Sequence, residues 1–171
     1  MHPYISNDIR EIAKRRNAKF VHLARNRPLS KDYEDIGLIG EWEFGKQVGI
    51  MPKLEPSKRG GDGGWDFQLP LMFTVDVKTS RKGDLLLVEA GKIKADIYVL
   101  VKYEEEECVD VEARTITYLP KAEVVGWCWA ANVRAAEPKD TGRGVVNHAV
   151  LAQSLRPLSD LLAMTATLRG R

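Results

Sequence analysis

Thiols and imidazoles are scarce in this chain. Only two of its 171 residues are cysteines, Cys108 and Cys128, and three are histidines, His2, His22 and His148. They lie scattered, without ligand spacing, so a zinc site has no support. Two distant cysteines build no disulfide framework. With no signal-like N-terminus they read as reduced thiols in a cytoplasmic protein. No apolar run approaches the roughly 20 residues that a membrane helix needs, so no membrane partner is expected. Charge of one sign is lacking as well: 26 basic against 24 acidic residues leave a net +2. That is too little to imply nucleic-acid binding by itself. There is also no internal repeat and no second domain boundary, so the expectation is one domain over residues 1–171, with its motif core at about 30–120.

The distribution of charge says more than its sum. Basic residues gather at the N-terminus (Arg10, Lys14, Arg15, Arg16, Lys19), and again at Lys58, Arg59, Arg81, Lys82, Lys92 and Lys94. A solvated helix face accounts for the N-terminal run as well as phosphate contact does. Acidic residues bunch at Glu104–Glu107.

Local patterns place the elements. Ser6 or Asn7 can cap a first helix running toward Arg25. Ser30 or Asp32 can start a second, with Ile36, Gly40, Phe44 and Val48 at intervals of four and an end by Gly49. The glycine-rich turn 60–64 leads into a short strand, Trp65–Leu69, and a strand follows over Leu71–Ser80. Leu85–Val88 is a third. Ala95–Tyr103, apolar throughout, suits a central strand covered on both faces. A hairpin across the glutamates would join it to Val109–Leu119, Pro120 would open a helix through Val125, and 130–144 reads as a loop. A last helix is expected from Ser159. Helices around a mixed sheet make an α/β fold.

The segment that carries chemistry is Phe73-Thr74-Val75-Asp76-Val77-Lys78-Thr79. Strand alternation puts Phe73, Val75, Val77 and Thr79 on one face, and Thr74, Asp76, Lys78 and Ser80 on the other. A carboxylate and an ammonium on an interior strand must pair or bind an ion to offset desolvation. A plain salt bridge on an open face is the competing explanation. Upstream, Asp66 lies between Trp65 and Phe67. If those aromatics pack together, Asp66 faces the crevice of Asp76 once the two strands form a hairpin. Two close carboxylates repel, and a divalent cation resolves the conflict; magnesium prefers such hard oxygen ligands. A third acid can come from the second helix, where periodicity does not choose between Glu41 and Glu43. Asp62 in the glycine turn rivals Asp66, although it also suits a turn former. The turn opens onto a strand and lacks a following lysine, which disfavours a nucleotide-phosphate loop.

Taken together, Gly40-Glu41-x-x-Phe44, then Gly61-Asp62-Gly63-Gly64-Trp65-Asp66-Phe67, then Val75-Asp76-Val77-Lys78-Thr79-Ser80 resemble the PD-(D/E)xK nuclease superfamily. The likeness covers residues 36–103, with Trp-Asp standing where the name-giving pair is Pro-Asp. It implies a restriction-endonuclease-like mixed sheet flanked by helices. It also implies a nuclease that hydrolyses DNA phosphodiester bonds with magnesium, or manganese in its place. Asp66, Asp76 and Glu41 would be the metal-binding acids, and Lys78 would position or activate water. Glu41 is preferred over Glu43 because it directly follows the glycine. Arg59, Arg81, Lys82, Lys92 and Lys94 become nucleic-acid contacts, and a homodimer would suit double-strand cleavage. A catalytically silent nucleic-acid-binding protein of the same fold is the alternative.

Overall fold

The computed structural model describes residues 33–52, 64–110, 114–140 and 144–169. The expected first helix, the glycine turn at 60–63, Arg59 and Asp62 lie outside that set. Helix α1 runs over Tyr33–Val48, as its four-residue apolar spacing predicts. It stops where Gly49 turns to φ 71°, a left-handed conformation that costs glycine little.

Strand β1 is only Phe67–Gln68; it pairs antiparallel with β2, Thr74–Ser80, in the register Phe67↔Val75. Strand β2 begins later than its sequence pattern indicates. Leu71 and Met72 both take positive φ and form a tight turn with Pro70. Strand β3 (Leu85–Glu89) leaves this sheet. Strand β4 (Ile97–Asp110) lies parallel to β2, and β5 (Thr115–Trp129) lies antiparallel to β4. After α2 (Ala130–Ala135) come β6 (Pro138–Asp140), β7 (Val146–Leu151) and helix α3 (Leu158–Arg169). One mixed sheet has the order β1-β2-β4-β5 and a second, smaller one the order β3-β7-β6. The architecture is mixed α/β.

Three expectations are corrected. The glutamates do not form a turn: Glu104–Glu107 belong to β4, and the connection to β5 falls after Asp110. Their side chains are tolerated in a strand because they are exposed, and Glu104 stands opposite Lys121. Pro120 opens no helix but sits within β5. That strand is the last in the sheet order, where a missing N–H is least harmful. The segment 130–144 is not all loop, since it holds α2 and β6. Its buried Ala130 and Val133, spaced three apart, are the apolar signal that its polar residues mask.

The uninterrupted apolar character of Ile97–Val101, the first part of β4, has a structural cause. Ile97, Val99 and Val101 enter one core cluster with Phe44, Phe67, Val75, Val77, Trp127 and Leu161. Tyr98 and Leu100 enter another with Leu86, Val88, Cys128, Val133 and Val150. Both faces of that part of the strand are covered, so neither can be polar there. Burial pushes the Cys128 thiol up to about 11, which marks it as packing material rather than a nucleophile.

Candidate active site

Among the described residues, no strand pairs with the outer edge of β2 beyond Val75. Asp66 fills that edge. Its backbone N–H donates to Val75 O at 2.8 Å, and its Oδ2 accepts the Val77 N–H at 2.7 Å. The carboxylate thus takes the place that the next backbone carbonyl of a longer strand would occupy. This differs from the crevice the sequence pattern indicates. Phe67 packs with Phe44 in the first cluster, while Trp65 packs against the second, so the two aromatics do not share a face. Regular alternation begins only at Phe67.

Asp76 and Lys78 leave β2 on the face of the second cluster, since Asp76 is in register with Tyr98 and Lys78 with Leu100. Lys78 Nζ donates to Asp76 Oδ1 at 2.7 Å. Asp76 is 7% exposed, Lys78 is half-buried, and the ion pair limits the cost of burying that carboxylate. Val75 and Val77 point the other way, into the core beneath α1.

The two glutamates of α1 have different surroundings. Glu43 is 6% exposed and accepts hydrogen bonds from Lys46 Nζ (2.7 Å) and Gln47 Nε2 (2.9 Å) of its own helix. Glu41 is the helix glutamate whose charge reaches Asp66. Helix α1 comes close to β2 at the preceding residue. A Cβ on Gly40 would collide with Thr79 Oγ1 and come within 3.1 Å of Thr79 Cβ. Only glycine permits that approach, and Glu41 is the next residue of the helix. The Thr79 hydroxyl, pressed against the helix, is buried with no hydrogen-bond partner.

Electrostatics tie the group together. The Asp66 carboxyl is held well above its ordinary range, first by burial and then by the negative charges of Glu41 and Asp76. The Val77 N–H and the Lys78 ammonium pull in the opposite direction without prevailing. Tyr98 also senses the site: burial raises its phenol, and the charge of Asp76 adds to the effect. Its hydroxyl accepts the N–H groups of Lys94 (2.9 Å) and Ala95 (3.2 Å), pinning the loop before β4. The sequence gives little sign of this role, because Tyr98 is one apolar-type residue in an apolar strand.

The donor chemistry of Glu41, Asp66 and Asp76 is all hard oxygen, the type that magnesium or manganese prefers. Like charges crowded enough to raise a carboxyl are what a divalent cation relieves. Among the described residues, however, no three carboxylate, imidazole or thiol groups already stand as a metal cage. The residues therefore fit the ion by chemistry and charge, with Asp76 engaged by Lys78 in this arrangement.

The basic candidates disperse. Arg81 pairs with Glu105 at 3.7 Å and lies over the Tyr103 ring, and Lys92 pairs with Glu89 at 2.9 Å. Lys82 is exposed beyond the end of β2. Lys94 is exposed, and its stem runs over Gly64, two residues before Asp66. His148 has a structural partner, its Nδ1 lying 2.9 Å from Ala136 O. Among the described residues no helix is long and apolar enough to cross a membrane. No protein-family model, curated protein or solved structure matches the chain.

Proposed function

We propose that this chain is a metal-dependent nuclease of the restriction-endonuclease-like type, cutting DNA phosphodiester bonds by hydrolysis. One observation carries the reading. The Asp66 carboxyl is pushed up by its burial and by Glu41 and Asp76, while Lys78 stands on the same strand end. In this reading Glu41, Asp66, Asp76 and Lys78 act together beside the part of β2 that, among the described residues, no strand flanks, and a sugar-phosphate chain would approach there. Such concentrated like charge favours a functional site over a structural network.

Glu41, Asp66 and Asp76 would hold magnesium, with manganese able to replace it. A bound ion supplies charge neutralisation at the scissile phosphate and a more acidic water. The chain's own part is positioning. The Val77 N–H orients the Asp66 carboxylate, and the Lys78 ammonium can donate to the attacking water or a phosphate oxygen. DNA is the proposed partner and a cytoplasmic setting the proposed place, in keeping with Cys108 and Cys128 forming no disulfide. A homodimer would bring two such sites to the two strands of a duplex.

The alternative, a silent nucleic-acid-binding protein of this fold, draws on one observation: the 2.7 Å pairing that commits Lys78 to Asp76. Incubation with plasmid, linear duplex, branched DNA and RNA separates the readings. With magnesium or manganese the wild type is expected to cut DNA and Lys78→Ala to fail. Full-rate cleavage by Lys78→Ala would overturn the site, and binding without any cleavage would favour the silent protein.

A further inference from the structure

The turn joining β1 to β2 is built against backbone preference. Leu71 (φ 65°, ψ 21°) and Met72 (φ 69°) are consecutive left-handed residues. The primed hairpin turns require such angles, and Asn-Gly adopts them at least cost. Two bulky apolar residues held there are strained. They are also displayed rather than buried, Leu71 being 55% and Met72 74% exposed.

The frame beneath them is firm. Leu69 N–H donates to Phe73 O at 2.8 Å, and Phe73 packs edge-on against Trp129 at 5.3 Å between ring centroids. Asp96 Oδ2 accepts both the Thr74 N–H (2.9 Å) and the Thr74 hydroxyl (2.7 Å). Gln68 Nε2 donates to Met72 Sδ at 3.0 Å, fixing the direction of that side chain. The tip is therefore a pre-organised apolar projection on a clamped hairpin.

The same hairpin carries Asp66 at the end of one strand and Asp76 on the other. Asp76 lies four positions after Met72, a span of about 13 Å along an extended strand. We propose that Leu71 and Met72 form a wedge that enters the base stack of the duplex whose backbone lies at the acids. This inference rests on the nucleic-acid reading of that site. Size favours bases over a protein partner: two side chains supply a small fraction of the roughly 800 Å² per partner that a stable protein interface buries. A base-step wedge needs only one or two apolar side chains, and leucine and methionine both serve. A wedge also gains from rigidity, since little ordering is left to do on binding. That gives the strained turn a purpose.

The test is a double substitution, Leu71→Asn with Met72→Gly, in the full chain. It keeps the turn and relieves its strain, so the melting temperature should rise by a few degrees. Binding is read with a fluorescent duplex containing 2-aminopurine, with calcium in place of magnesium. The wild type should bind and brighten the probe as a base step opens. The double variant should bind at least tenfold more weakly and leave the probe quenched, with Met72→Gly between them. Equal affinity of wild type and double variant, or a wild type that binds without brightening the probe, would overturn the wedge. A wild type that brightens the probe yet cuts nothing with magnesium or manganese would support the wedge and remove the nuclease reading.

Discussion

Asp66 is the residue on which the proposed chemistry turns, and its surroundings make a signed prediction about pH. Its folded-state pKa is raised above the ordinary value of 3.8, so the folded chain retains a proton that the unfolded chain releases. The associated stability is fully present below about pH 3.8 and is lost as pH rises through the raised value. Asp66→Asn keeps an oxygen to accept the Val77 N–H and removes the charge. We expect the metal-free variant to melt above the wild type at pH 8, with the gap closing toward pH 4. Thermal melts across that range check this; a variant less stable at pH 8 would deny the repulsion. The two glutamates of α1 should also separate cleanly. Glu41→Gln should lower DNA cleavage at least tenfold. Glu43→Gln, altering a carboxylate already held by Lys46 and Gln47, should shift the melting point more than the rate. Equal losses of activity would mean that the helix presents both.

Elements show what the sequence reveals and what it hides. Helix α1 is legible from its apolar spacing and its glycine stop, and β2 from alternation at Val75, Asp76, Val77 and Lys78. The acids themselves are legible as residue types, yet the way Asp66 reaches its place is not. That depends on where β1 ends and which edge of β2 is left open, a tertiary matter. Pro120 misleads for the same reason, because proline at a sheet edge and proline at a helix start look alike in one dimension. Gly40 is the clearest case of a hidden constraint, because its need appears only when Thr79 lies against it. Gly40→Ala should therefore cost about 1–3 kcal/mol through overpacking. Thr79→Ala, which deletes an unpartnered hydroxyl, should be mild alone and recover part of that loss in the double variant. Denaturant unfolding of the four proteins gives the coupling; strict additivity would mean that the contact is not the cause.

At the scale of the whole molecule, β4 joins two core clusters that would otherwise be separate layers. Leu100→Ala, made in the second cluster, should cost about 2–5 kcal/mol. It should still leave a single cooperative transition, since β4 also anchors the first cluster. Two resolved transitions in urea would contradict that unity. Among the described residues the candidate site sits where β1 stops pairing with β2, so its acids are held by the core. The proposed chemistry requires Glu41, Asp66 and Asp76 together to take up a divalent ion. Calorimetric titration of manganese into the full chain at neutral pH tests it most directly. The wild type is expected to bind saturably, and binding should weaken at least tenfold in Asp66→Asn and likewise in Asp76→Asn. A wild type that binds manganese no better than those two variants would contradict it.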